Sequence, residues 1–201
     1  GSVLIDQLTY SYEMASNKLK QVVDGVNNFN SHLGDFKYDP LSKGSTDYLY
    51  DNNGNLVRDN NKAIKDDNLQ AIEYNHLNLP VLIRVKDKGT IAYRYDAGGN
   101  KVSKIVTEGS QKKVTNYFAG FVYEFTTTGA IEDGIDVLQF FGHEEGRIRP
   151  KGNEFVYDYF IKDHLGNVRM VLTEEQQSDM YIAATMETAT AAQEETFYSN
   201  L

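Results

Sequence analysis

The chain has no cysteine, no tryptophan and only three prolines. Without cysteine there is no disulfide framework and no thiolate metal site, so the sequence leaves its redox compartment open. No apolar run reaches the roughly 18 residues that a membrane helix needs, and no stretch reads as a signal peptide. Pro40, Pro80 and Pro150 are few enough for each to sit at a strand edge or in a loop. Positive charge is scarce as well. The formal net charge is -9, and nucleic acid is not an expected partner, because phosphate binding needs massed Lys and Arg to displace counterions. The small basic groups Lys112, Lys113 and Arg147, Arg149, Lys151 are expected to be solvated strand ends.

What the chain does have is tyrosine. Fourteen Tyr and ten Phe among 201 residues favour strands, whose half-buried faces suit aromatics that keep one polar end wet. The stretch Tyr48 to Arg58 shows how they are used. Tyr48 and Tyr50 share one face of a strand, Leu49 takes the other, and Leu56 and Val57 begin a return strand. Between them, Asn53 and Gly54 predict a two-residue hairpin turn with positive φ at both central positions, and Asn55 follows.

This pattern recurs. On the same frame stand Tyr12, Glu13, Ser16, Asn17 and Leu19; Tyr95, Asp96, Gly99, Asn100 and Val102, with Gly98 also in the turn; and Asp163, Gly166, Asn167, Val168 and Arg169. Tyr74, Asn75, Asn78 and Leu79 read as a variant shorter by one residue, and Phe141, Gly142, Gly146, Arg147 and Ile148 as a weaker relative. The intervals between copies give a period of about 22 residues, which marks a repeat architecture.

At these residues the sequence resembles the bacterial Rhs, or YD-repeat, family. The resemblance rests on Tyr50-Asp51-x-x-Gly54-Asn55, on Tyr95-Asp96-x-x-Gly99-Asn100 and on Asp163-His164-Leu165-Gly166-Asn167-Val168-Arg169, which is similar to a family signature. It covers about residues 8 to 172. It implies strand-turn-strand repeats that wind into a section of a β-shell, at the cell surface or secreted, often enclosing a toxic C-terminal domain. The Asp-Pro self-cleavage region found beyond the repeats in toxin-releasing relatives is not matched, since the one Asp-Pro here is Asp39-Pro40, ahead of most repeats.

The expected fold class is therefore all-β: tandem antiparallel hairpins in a sheet too wide to stay flat, which must twist and coil. Strands are expected at 8–13, 18–23, 71–75, 80–85, 90–95, 101–107, 112–119, 120–127, 137–141, 155–162 and 168–173, besides those flanking Asn53 and Gly54. Residues 1–2 read as a cloning scar, 3–173 as the repeat domain, and 174–201 as an acidic linker or tail toward a following domain. The polar insertion from Asp24 to Lys43 is expected to pack on the sheet through Phe29, Leu33 and Phe36, and Asp59 to Asn68 reads as a second polar connection.

Candidate chemistry fails on spacing. His143-Glu144-Glu145 begins like a zinc-protease helix, but Arg147 stands where the second His is needed and Gly146 breaks the helix. Asp163 and His164 are neighbours beside a turn, which disfavours an acid-base pair. Asp51 to Asn55 is not a calcium loop: its Gly is fourth instead of sixth, and Lys62 occupies the place of the bidentate Glu. No residue is assigned a catalytic, cofactor or metal role. Asn53, Gly54, Asn55, Gly98, Gly99, Asn100, Gly166 and Asn167 are assigned as structural turn positions.

The expectation is a non-enzymatic structural module whose partners are adjoining repeats and a C-terminal domain of the parent chain, and which alone is a monomer or weak dimer. The alternative is a glycan-binding surface built from exposed Tyr, recognisable by three or more coplanar rings in one groove.

Overall fold

The computed structural model describes residues 4–26, 36, 44–66 and 70–175. Regular structure in these residues is antiparallel strand, apart from one 3-10 turn at Ile131–Asp133. The chain divides into two units, 1–141 and 142–201.

The first unit opens with two hairpins, β1 (Leu8–Tyr12) with β2 (Leu19–Asp24), and β3 (Tyr48–Tyr50) with β4 (Leu56–Asp59). A meander follows, in which each strand pairs with the next: β5 (Ile72–Tyr74), β6 (Pro80–Val85), β7 (Gly89–Tyr95), β8 (Lys101–Glu108), β9 (Gln111–Phe118), β10 (Phe121–Thr127) and β11 (Val137–His143). Backbone bonds stitch the hairpins into a series, with the Asp47 amide donating to the Lys20 carbonyl at 2.8 Å and the Ala71 amide to the Val57 carbonyl at 2.9 Å. The second unit carries β12 (Gly146–Lys151), β13 (Glu154–Lys162) and β14 (Val168–Thr173), again paired in order.

The core is thin. Val22, Val57, Ala71, Ile72, Ile105 and Val114 are buried in the first unit and Val156 in the second. Buried Asp24 and Asp59 share that space because they cap backbone that the sheet leaves open: Asp24 Oδ1 accepts from the Gln7 and Val26 amides, and Asp59 Oδ1 from the Asn61 amide at 2.9 Å.

Five hairpins bend at the same place. After the loop one residue pairs normally, the next is extra, and pairing resumes; the extra residues are Lys20, Val57, Val81, Val102 and Arg169. A bulge repeated at one position is a property of the repeat, since it adds local twist and resets which way the following side chains face.

Two expectations are corrected. The loops are not two-residue turns. The Gly54 amide donates to the Asp51 carbonyl and the Asp51 amide to the Asn55 carbonyl, enclosing three residues, and only Gly54, not Asn53, has positive φ, at 87°. Residues 74–79 are not a shortened copy: Asn75 occupies the Asp position and Asn78, at φ 58°, the Gly position of a loop of the same length. The segment from Gly146, expected as the return of a weaker relative, is a strand as far as Lys151. The expected docking of Phe29 and Leu33, and the expected tail beyond Glu175, lie outside the described residues; of Phe36, the backbone amide donates to Asp6 Oδ1 at 2.8 Å.

Candidate functional site: the loop rim and its groove

The loops at 51–55, 96–100 and 163–167 are each held by one carboxylate, whereas the loop after Tyr12 is one residue longer and closes through the Glu13 amide on the Lys18 carbonyl. Asp51 Oδ1 accepts the amides of Asn53 (2.9 Å) and Asn55 (2.8 Å), while its Oδ2 accepts Asn55 Nδ2 (2.9 Å). Asp96 repeats this with Gly98, Asn100 and Asn100 Nδ2, each at 2.9 Å. Asp163 does so with Leu165, Asn167 and Asn167 Nδ2, and adds the Arg169 guanidinium, Nε to Oδ2 at 2.8 Å. The Asn side chain at the far end of each loop, with the backbone amides beside it, stabilises the charged form and holds all three carboxyls below the usual carboxylate range. Asn75 copies the backbone part through its Oδ1, which accepts the Leu77 and Leu79 amides.

Glycine follows from the loop and not from the carboxylate. Gly54, Gly99 and Gly166 have φ of 87°, 83° and 84°, the left-handed region in which a Cβ is strained and which Asn tolerates better than most residues. Gly98, assigned beside Gly99, is an ordinary loop position whose amide donates to Asp96.

Neighbouring loops of the first unit touch. Asn53 Nδ2 and Asn55 Nδ2 both donate to Asn78 Oδ1, at 3.0 and 2.9 Å, and a Cβ on Gly99 would meet Leu79 Cδ1 at 3.2 Å. The tyrosines ahead of the 51–55, 75–79 and 96–100 loops make a second link. Tyr50 Oη donates to the Leu19 carbonyl (3.1 Å), Tyr74 Oη to Leu56 (2.7 Å) and Tyr95 Oη to Pro80 (2.9 Å), in each case the first residue of the preceding return strand. Burial raises the pKa of all three phenols. Sequence reasoning placed these rings on a strand face but missed the hydroxyl's partner; the available signal was a Tyr, never a Phe, before the first-unit loops of this type.

The second unit is organised around Asp158, which is 1% exposed. Its Oδ2 accepts Arg149 Nε (2.7 Å) and Arg147 Nε (2.8 Å), and Arg149 and Lys151 reach on to Glu175 at 2.7 and 2.6 Å. Arg149, with Arg147 beside it, holds the Asp158 carboxyl down at about 2. These arginines are therefore not solvated strand ends, and Lys113 likewise pairs with Glu124 at 2.9 Å. His143, which belongs to the second unit, meets Tyr157 and Tyr159 edge-on, with ring centroids 6.0 and 5.5 Å away. His164 sits exposed in the 163–167 loop. Among the described residues no group of three or more His, Cys, Asp or Glu is placed to hold a metal ion.

Between the 96–100 loop and the hairpin tip at Phe118 to Phe121 lies a groove of about 520 Å³, lined among others by Asn100, Lys101, Tyr117, Phe118 and Phe121. Tyrosine rings elsewhere pair, Tyr93 with Tyr95 and Tyr157 with Tyr159; among the described residues these contacts do not extend to a coplanar row of three.

No family model, no curated protein and no solved structure matches this chain.

Proposed function

We propose that the chain is a non-enzymatic structural module, a section of YD-repeat β-sheet from a larger Rhs-type protein at the cell surface or secreted. Its work is to build a shell or scaffold that adjoining repeats extend and that presents or encloses a C-terminal domain. The observation that carries this reading is the recurring tie between repeats: loop carboxylates are spent on their own backbone amides, and tyrosine hydroxyls on the preceding return strand. A carboxylate committed in this way holds a turn and is poorly placed to take a proton from a substrate. Fold analogy alone would not give a function; the reading rests on where the motif's polar atoms go.

The isolated chain is expected to be a monomer or weak dimer, without turnover of ester, glycoside or peptide substrates. Light scattering over a concentration series checks the first point, and a tight, concentration-independent oligomer would contradict it. Activity abolished by His164→Ala with unchanged circular dichroism would overturn the non-enzymatic reading. A second reading, a glycan-binding surface, does not have the coplanar tyrosine row expected of it among the described residues and rests instead on one observation, the aromatic-walled groove beside Asn100.

A further inference from the structure

The groove beside Asn100 sets polar atoms that are fixed in place and not used up against an aromatic wall. Asn100 Nδ2 is committed to Asp96 Oδ2 at 2.9 Å, which sets the amide's orientation and leaves Oδ1 to accept. At the 51–55 loop the corresponding amide is shared with Asn78 of the next loop, so that position is occupied by the protein itself. Lys101 supplies donors. Its Nζ lies over the rings of Tyr93 and Tyr117, 5.4 and 5.0 Å from their centroids, and among the described residues it has no carboxylate within ion-pair distance.

The opposite wall is aromatic. Phe118 is 75% exposed at the hairpin tip, and Phe121 is anchored by stacking on Phe141 at 4.9 Å. Flat apolar groups facing a few fixed donors and acceptors make a ligand site, not a packing defect. A nucleotide fits poorly, since one lysine is little charge for its phosphates. An extended peptide would need an open strand edge, and β8, β9 and β10 are already paired on both sides. A sugar ring fits both walls, with an apolar C–H face for the aromatics and hydroxyls that both donate and accept.

We propose that this groove binds a neutral sugar ring of a glycan, with Phe118 against its C–H face and Lys101 Nζ and Asn100 Oδ1 on its hydroxyls. The assignment rests on the glycan-surface reading and is independent of the scaffold reading. Saturation-transfer NMR on the full chain with maltotriose, cellotriose and mannotriose tests it. At least one sugar should receive transfer at millimolar concentration. Phe118→Ser, and Phe118→Leu, which keeps apolar bulk without a flat face, should each weaken binding about tenfold, with the melting midpoint unchanged because the side chain is exposed. Lys101→Met should weaken it as well. Transfer from none of the three sugars would overturn both the site and the glycan reading. Binding that survives both Phe118 variants would overturn the site and leave the glycan reading standing.

Discussion

The hydroxyl of Tyr95 donates to the carbonyl of Pro80 at 2.9 Å, tying the aromatic before one loop to the residue that begins the preceding return strand. Pro80 opens β6 and Val81 is the extra residue of its bulge, so the bond grips the point where the preceding hairpin bends. The same relation joins Tyr74 to Leu56 and Tyr50 to Leu19, which makes it a link from repeat to repeat within the first unit.

Removing that hydroxyl should be felt. Tyr74→Phe and Tyr95→Phe keep the ring and leave a half-buried carbonyl without its donor, a loss of about 1 kcal/mol each. Tyr12→Phe is the control, because Tyr12 is 55% exposed. Chemical denaturation should rank both variants below the control; three equal midpoints would mean that the hydroxyl bonds contribute nothing.

The left-handed loop positions give a second, graded test. Gly99→Val places a branched Cβ at φ 83° and against Leu79, and should cost about 1 kcal/mol or more. Gly54→Val should behave alike at φ 87°. Gly99→Asn should cost clearly less, since Asn78 already holds the equivalent place at φ 58°. Thermal melts in which Asn and Val are equally harmful would contradict this account of the loop.

Much of the fold was legible. The expected strands 80–85 and 168–173 match β6 and β14 residue for residue, because runs rich in Val, Ile and Leu follow the turn signals at Asn78 and at Gly166-Asn167. Gly146–Lys151 was legible only as the return of a weaker relative, and not to its full length: it contains a glycine, a proline and three cations, poor strand formers that hold this shape through pairing with β13 and through Asp158. Gly146 is there because a Cβ would lie 1.9 Å from the Asp158 carbonyl oxygen, a tertiary reason invisible in sequence. The turn glycines and asparagines were legible as positions but not as geometry. Asn-Gly suggests a two-residue turn, yet Asp51 organises a three-residue one by taking two amides, and the clue was an Asp four residues before an Asn in the full copies at 51, 96 and 163.

Acid should expose the second unit's charge network. Asp158 is held at about 2 against an ordinary 3.8, so its stabilising contribution is complete above the ordinary value and is lost as pH falls from there through about 2. The contribution is on the order of 2 kcal/mol. Asp158→Asn should be less stable near neutrality, because Arg147 and Arg149 lose their shared partner, and the gap should narrow on acidification. Asp51, Asp96 and Asp163, also held low, add an acid loss common to both proteins. Parallel stability curves for the two proteins would contradict the role given to Asp158.

Hydrogen exchange at the amides of Asn55, Asn100 and Asn167 is the most direct test that one self-closed loop unit recurs along the chain. Each amide donates to the carboxylate that opens its own loop, at 2.8, 2.9 and 2.9 Å. All three should exchange far more slowly than an unstructured peptide of the same sequence, and each should speed up when its own Asp51, Asp96 or Asp163 is replaced by Ala. Exchange at the unstructured-peptide rate in the unaltered chain would show that these loops are not closed by their aspartates, and the repeat-built scaffold would lose its basis.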